Sequence, residues 1–509
     1  MDAMTEEVMT LESMGAWEIV DRPVGKNVLP GTWALRRKRY PDGRIKKLKA
    51  RFCARGDKQI EVVDFFETYA PVVSWNTVRT LLALEVHLGL ASCQVDYTSA
   101  FVHADLSDEV YVEMPQGFRQ DGKVLRLKKS LYGLRQSPLN FFRRLKNALL
   151  NRGFRQSDSD PCLFISKEVI CICYVDDCLF FAREQKAIDQ VITSLQDKNK
   201  PDRLLLSVED DVAGFLGILM TKKEDGTIEL NQTGLIDRIV RTMGLDSANS
   251  VRTPADQKPL GADKDGAPCE EQWSYASIVG MMMYLSSNSR PDIAFAVHQC
   301  ARFTHNPRRS HEVALKRIAR YLKGTRNKGM KIKPSTKLNL DCYADADFAG
   351  LWPAELPNDP TCVKSRTGYL LMLGGVPVSW SSKLQSKIAL STTEAEYSAL
   401  STAMKELIPL RRLVDELATA LGVKRSPEEK LSFVYEDNRG ALTLANTEMP
   451  MTTPRTKHYA IELHWFHEHC IQGQIEVTAI DTKVQLADIF TKGLSPQDFE
   501  SKRRLIVGW

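Results

Sequence analysis

Two groups of carboxylates in this sequence have types and spacings that could do chemistry. In the first half, Asp96 closes the run Gln94-Val95-Asp96-Tyr97. Asp176 and Asp177 stand side by side within Ile172-Cys173-Tyr174-Val175-Asp176-Asp177-Cys178-Leu179-Phe180-Phe181. Adjacent carboxylates between apolar flanks repel each other and lose hydration, and these flanks hold no Lys, Arg or His to offset the cost. Bound divalent metal is the natural compensation. A pair of such ions about 4 Å apart is an arrangement that drives phosphoryl transfer. The plain alternative is a solvent-exposed Asp-Asp turn of an ordinary hairpin, and spacing alone does not separate the two.

The second half has its own set. Asp341-Cys342-Tyr343-Ala344-Asp345-Ala346-Asp347 reads as a strand, and Ser391-Thr392-Thr393-Glu394-Ala395-Glu396 begins a helix. Tyr435-Glu436-Asp437-Asn438 ends a strand, and Leu486-Ala487-Asp488-Ile489-Phe490-Thr491-Lys492 starts a late helix. Carboxylates arriving from two strand ends and a helix can converge on two metals that activate water for phosphodiester cleavage. Taken singly, each is more simply a surface carboxylate. Local physics separates the two glutamates: Ser391-x-x-Glu394 is a capping box, which gives Glu394 a structural task. Glu396 lies one turn before Leu400, in line with Ala403, Leu407 and Leu410, and so points to the buried face. An unpaired carboxylate there is costly, which makes Glu396 the candidate ligand.

The elements that must position these residues follow from the pattern. Residues 1–30 read as helix and then loop. Basic and apolar residues alternate over 32–60, with Pro41-Asp42-Gly43 as a hairpin turn between two strands. Val78 to Leu90 is predicted helical, Val95 opens a short strand, and Pro138 to Arg152 is an amphipathic helix. Val169 to Ala182 is an apolar hairpin with the aspartate pair at its tip. Val251 to Trp273, rich in Pro, Gly, Asp and Lys, reads as a linker. A helical stretch follows from Ser274 to Gly324, with a new helix at Pro291-Asp292. From Leu338 the pattern changes to strand 338–345, strands about 367–380, helix 392–421, strand 431–437, helix about 458–472, strand 474–480 and helix 485–491.

Composition is that of an ordinary globular protein: 509 residues, 43% hydrophobic, 26% charged and a net charge of +5, which permits an anionic partner without demanding one. Eleven cysteines are scattered, with Cys171 and Cys173 the closest pair. No CxxC occurs, so neither a disulfide framework nor a zinc motif is read, and a reducing compartment is expected. Met1 to Leu11 is acidic and polar, unlike a signal peptide. No apolar run approaches the roughly 20 residues of a membrane helix.

The words around the carboxylates carry a resemblance. Tyr174-Val175-Asp176-Asp177 resembles the YxDD box of reverse transcriptases, and Val95-Asp96-Tyr97-Thr98-Ser99-Ala100-Phe101 their first aspartate motif. Lys49-Ala50-Arg51-Phe52, Glu67-Thr68-Tyr69-Ala70-Pro71-Val72, Met114-Pro115-Gln116-Gly117-Phe118 and Ser130-Leu131-Tyr132-Gly133-Leu134-Arg135-Gln136-Ser137-Pro138 complete an ordered set. In that order, over nearly the whole chain, it is similar to the Ty1/copia class of LTR retrotransposon Pol polyproteins, in their reverse transcriptase–ribonuclease H portion. Thr393-Glu394-Ala395-Glu396-Tyr397 and the Leu486–Lys492 string are similar to the ribonuclease H of that class.

The resemblance implies an α+β fold. A right-hand polymerase of fingers, palm and thumb would occupy residues 1–250, a connecting tether 251–335, and an α/β ribonuclease H-like domain 336–509. It implies RNA- and DNA-templated DNA synthesis with cleavage of RNA in RNA–DNA hybrids. Asp96 and Asp176 would hold two Mg²⁺ ions, or Mn²⁺, with Asp177 the supporting carboxylate of the triad. Asp345, Glu396, Asp437 and Asp488 would hold a second pair. Phe101 aligns with the aromatic gate against a 2′-hydroxyl, its plain alternative being a core phenylalanine. Gln116 aligns with a nucleotide-pocket glutamine, Lys49 and Arg51 with triphosphate contacts, and Gly214-Phe215-Leu216-Gly217 with the primer grip. The implied partners are an RNA template, a DNA primer, the hybrid, dNTPs, and the capsid and integrase products of the same element. No membrane is implied. The implied location is a cytoplasmic virus-like particle, with the nucleus second.

There are departures. The final string reads Thr491-Lys492-Gly493-Leu494 where the class has Thr-Lys-Pro-Leu, and the loop Leu351 to Val363 is long. His464, His467, His469 and Cys470 share a helix, where packing is the simpler reading than zinc. CCHC, HHCC and protease signatures are absent, so a truncated copy, a processed product or a frame encoding only the last part is expected. Two rivals remain at this point: a catalytically silent nucleic-acid-binding relic, and a domesticated host protein with an interaction role.

Overall fold

The computed structural model describes residues 2–39, 45–209, 214–352, 354–355, 357–447, 465, 468–470 and 474–509. The chain is mixed α/β and divides into two compact units, one of residues 1–73 and 91–211, the other of 74–90 and 212–509. Among the described residues no helix is long and apolar enough to cross a membrane.

The first unit is built on a six-stranded antiparallel sheet in the order Leu206–Glu209, Ala91–Tyr97, Asp177–Ala182, Val169–Tyr174, Leu163–Ile165, Arg155–Gln156. The hairpin of residues 169–182 forms where the apolar run predicts it, because every strand residue except those at the turn is buried. Side chains alternate across a sheet. Val95, Tyr97, Cys171, Cys173 and Phe180 share one face, which packs under the helices Ser137–Leu150 and Gln185–Gln196 through Phe141, Leu145, Ile188 and Leu195.

A second core in this unit lies against a four-stranded sheet. Its strand Trp17–Asp21 stands where loop is expected, and it pairs antiparallel with Lys123–Leu127. That partner is about a hundred positions away, so nothing local marks the strand. The basic segment forms the expected pair, Gly31–Arg39 with Ile45–Ala54. Its Pro41-Asp42-Gly43 turn lies outside the described residues.

The second unit carries a five-stranded sheet in the order Val376–Leu384, Arg366–Leu373, Leu340–Asp347, Ser432–Glu436, Ile475–Ala479. The first three strands are antiparallel, and the last two join in parallel. The helix Thr392–Ala420 packs on its centre. The expected helical stretch after residue 274 divides into Tyr275–Asn288, Ala294–Ala301 and Arg309–Gly324. Segment 251–273 has no regular element, as a linker should, yet it is pinned: Arg317 donates to the Thr253 carbonyl and hydroxyl, and Gln299 accepts from the Leu260 amide. The helix expected at about 458–472 lies largely outside the described residues.

The helix Trp75–Leu88 is begun by Ser74, whose hydroxyl accepts from the Asn76 amide, and is ended by Gly89 at φ +64°. It belongs to the second unit and docks on the strand Val376–Leu384. Arg79 is the bolt of this junction. It is buried, donates to the Val378 carbonyl at 2.8 Å and the Ser287 carbonyl at 3.0 Å, and covers the Trp380 ring at 4.1 Å.

Candidate active sites

In the first unit, strand register sets the geometry. Asp96 pairs with Asp177 across neighbouring strands, and Tyr174 pairs with Asp177 to close a two-residue turn of Val175 and Asp176. Val175 has φ +56° and Asp176 is not left-handed, so the positive φ falls at the first central position alone, a place that favours glycine. A β-branched residue held there costs on the order of 1–3 kcal/mol, strain of the kind that gathers at functional sites. The Asp177 carboxyl is pushed up to about 7, first by burial, then by the charges of Asp176 and Asp96. Two carboxylates in register with a third in the turn suit divalent cations, although their oxygens do not all fall within the 4.8 Å that marks the tightest clusters among the described residues.

Beside them lies a stack. The Arg51 guanidinium sits 4.5 Å from the Tyr132 ring centre, and Phe101 meets Tyr132 edge-on at 4.6 Å. The Tyr132 phenol is pushed up to about 12, first by burial; Asp176 and Asp96 add to the rise while Arg51 opposes it. Those charges place Tyr132 close to the carboxylates. Its turn is fixed by Gly133, at φ +93°, where a Cβ would meet the Ala54 carbonyl oxygen at 2.1 Å. Tyr132 was not among the sequence candidates, though its string Ser130–Pro138 was. Lys49 shares a strand face with Arg51, and the charges of both reach Glu7. Gln116 is exposed on the loop after Tyr111–Glu113, with its carbonyl accepting from the Trp33 indole. The Gly214–Gly217 segment belongs to the second unit, where Phe215 is buried beside Trp75.

In the second unit, Asp345 from the central strand, Glu396 from the long helix and Asp437 after Ser432–Glu436 bring carboxylate oxygens within 4.8 Å of one another. Asp345 and Glu396 are almost fully buried, and the Ala346 amide donates to Glu396 at 2.6 Å. Burial first, and then the charges of Asp345, Glu436 and Asp437, holds the Glu396 carboxyl well above its ordinary range. Burial raises Asp345 and Glu436 in the same way. Repelling buried carboxylates of this kind fit a divalent ion.

Glu394 has the expected structural task at the helix start, but only half of the capping box forms, because its carboxylate reaches the Leu390 amide and not that of Ser391. Its amide donates to the Ser391 hydroxyl at 3.2 Å, while its carboxylate turns back to accept from the Leu390 amide at 2.8 Å. Asp488 stands at the edge of the group, outside the three that converge. Lys492 approaches it at 2.6 Å and the buried Lys502 at 3.1 Å; Lys492 also lies 3.8 Å from Asp345, and the Thr491 hydroxyl donates to Asp345. Glu436, Lys492 and Lys502 were not sequence candidates. Lys492, at i+4 from Asp488 on a helix start, was the one with a local signal.

The Gly493 departure has a physical reason: a Cβ there would meet the Asp256 carbonyl oxygen at 2.0 Å, so the segment packs backbone on backbone. His464 and His467 lie outside the described residues. No metal-ligating group among the described residues includes His469 or Cys470.

Residues 14–257 match the family described as reverse transcriptase (RNA-dependent DNA polymerase). The chain is 33% identical to the retrovirus-related Pol polyprotein from transposon TNT 1-94 of Nicotiana tabacum, covering 99% of this chain and 37% of that one. It is 32% identical to that from transposon RE1 of Arabidopsis thaliana, covering 98% and 33%, and 26% identical to the transposon Ty1-H Gag-Pol polyprotein of Saccharomyces cerevisiae, covering 98% and 28%. It therefore spans about a third of the length of these relatives. A foamy viral protease-reverse transcriptase structure, in complex with double-stranded DNA, aligns at a TM-score of 0.49 with 13% identity, over 94% of this chain and 69% of that one. Along the third of their length that it spans, the chain belongs to the Ty1/copia type of retrotransposon Pol polyproteins, with the reverse transcriptase family in its first half.

Proposed function

We propose that the chain synthesises DNA on RNA and DNA templates at Asp96, Asp176 and Asp177, and cleaves the RNA strand of the hybrid at Asp345, Glu396, Asp437 and Asp488. On this reading residues 1–250 are fingers, palm and thumb, 251–335 the connection and 336–509 the ribonuclease H-like domain. The observation that supports it most is the pairing of Asp96 with Asp177, with the Asp176 turn between strands and the Arg51–Tyr132–Phe101 stack alongside.

Two Mg²⁺ ions, or Mn²⁺, when bound at such carboxylates supply charge stabilisation for in-line displacement. The chain's own groups do the rest. Asp96 and Asp176 hold the ions, and Asp177 supports them from the neighbouring strand. Arg51 and Lys49 offset triphosphate charge, and Gln116 lines the nucleotide pocket. The Phe101 ring, fixed by Tyr132 and Phe141, lies under the sugar and leaves no room for a 2′-hydroxyl. In the second site Glu396 is aimed by the Ala346 amide, and Asp488 is held by Lys492 and Lys502.

The partners on this reading are an RNA template, a DNA primer, their hybrid and dNTPs, with the capsid and integrase products of the same element. The place is a cytoplasmic virus-like particle, and secondly the nucleus. Primer extension on a homopolymer RNA with Mg²⁺, followed by assay of RNA cleavage in a labelled hybrid, tests both halves. Extension and cleavage that both appear with Mg²⁺ and stop with chelator are expected; a folded chain inert in both assays contradicts the proposal.

A further inference from the structure

On the helix-covered face of the first unit's sheet, behind the Asp176–Asp177 turn, three thiols meet. Cys171 and Cys173 alternate along one strand, and Cys178 pairs with Cys173 from the next, so all three side chains point the same way. Their sulfurs all lie within 4.8 Å of one another, with Cys171 and Cys173 at 3.7 Å. A tetrahedral ion with metal–sulfur bonds of about 2.3 Å spaces its sulfurs about 3.8 Å apart.

A second observation points into the same spot. The Tyr97 hydroxyl is buried beside the Cys178 thiol, its hydrogen-bonding neighbour, and the charges of all three thiols reach it. A thiol is a weak partner for a buried hydroxyl, so simple packing would favour phenylalanine there.

We propose that Cys171, Cys173 and Cys178, with the Tyr97 oxygen as fourth donor, form a site for one thiophilic cation, Zn²⁺. Sequence spacing hides it because the third cysteine arrives by strand pairing and not by a CxxC step. Sulfur donors select a soft ion, whereas the carboxylates on the opposite face select hard ones, so the two sites do not compete. The thiols lose their protons to solvent as the ion enters. Because the three are buried, the ion enters while the hairpin forms. It then ties together the strands that lead into and out of the strained Val175 turn.

The test refolds the full chain with Zn²⁺, or with Cd²⁺ as a spectroscopic probe, and removes loose metal by gel filtration. One zinc per chain, and a thiolate-to-cadmium charge-transfer band in the ultraviolet, are expected. Refolding in chelator should lower the melting temperature. Cys178→Ala should lose both the metal and the band, while Cys342→Ala, an equally buried thiol in the second unit, keeps them. Tyr97→Phe should release zinc to chelator faster than the parent; an unchanged rate overturns the role of the oxygen. A folded parent chain that carries no zinc and shows no cadmium band overturns the site, and that result stands even if Cys178→Ala does not fold.

Discussion

Asp177 faces Asp96 across a strand pair and follows Asp176, and its carboxyl is pushed up to about 7, chiefly by burial. An acid whose pKa rises on folding favours the fold while protonated. That contribution is complete below its unfolded value of about 4 and is lost as pH rises through about 7. Burial raises Asp345, Glu396 and Glu436 in the same direction. In chelator, therefore, the melting temperature should fall between about pH 5 and pH 8, and Mg²⁺ should restore most of the loss at the upper end. Asp177→Asn should flatten part of the slope; a parent profile already flat in chelator would contradict this.

Phe101 makes a second prediction at this scale. Phe101→Val removes the ring that Tyr132 and Phe141 hold, so the ratio of rNTP to dNTP incorporation should rise by tenfold or so, the order of one pocket group. An unchanged ratio with dNTP activity retained places the gate elsewhere. The carboxylates were legible because residue type and spacing carry their cost. Tyr132 and Lys502 were not, because their contribution comes from packing against residues far away in sequence: Arg51 for the one, Asp488 and the carbonyls of Lys483 and Gln485 for the other.

The helix Thr392–Ala420 shows how an element allots roles to neighbours. Glu394 closes the helix start on Leu390, and Glu396, half a turn on, is aimed inward at Asp345 and Asp437. Glu396→Gln should eliminate hybrid cleavage while leaving primer extension. Glu394→Gln keeps an acceptor for the Leu390 amide and should retain cleavage. Ser391→Ala should cost about 1 kcal/mol, read as a small drop in melting temperature. Hybrid cleavage by matched, folded variants decides; the reverse pattern would make Glu394 the ligand. This helix and the hairpin of residues 169–182 were legible because their apolar periods are strong and bounded by Ser391 and by the aspartate pair. The strand Trp17–Asp21 was not, since its partner Lys123–Leu127 fixes it through long-range pairing.

At the scale of the molecule, the compact units and the segments read from sequence are different divisions. The helix Trp75–Leu88 lies between strands of the first unit in sequence yet packs in the second, bolted by Arg79 to Val378, 299 positions away. No local pattern carries such a contact. Arg79→Met keeps the bulk but strands the buried Val378 carbonyl, a loss of about 1–3 kcal/mol when unpaired. The second unit should melt several degrees lower, and an unchanged melt would mean that the bolt bears no load.

Two separate carboxylate sites in one chain, each with its own chemistry, make the central claim, and the most direct test crosses them. Primer extension on RNA and cleavage of an RNA–DNA hybrid are measured side by side for Asp176→Asn and Glu396→Gln, with template binding as the control for folding. Asp176→Asn should abolish extension and retain cleavage, Glu396→Gln should abolish cleavage and retain extension, and both should retain binding. If Asp176→Asn still extends a primer at close to the parent rate, or either variant loses both activities while folded and binding, the assignment of two independent sites is wrong.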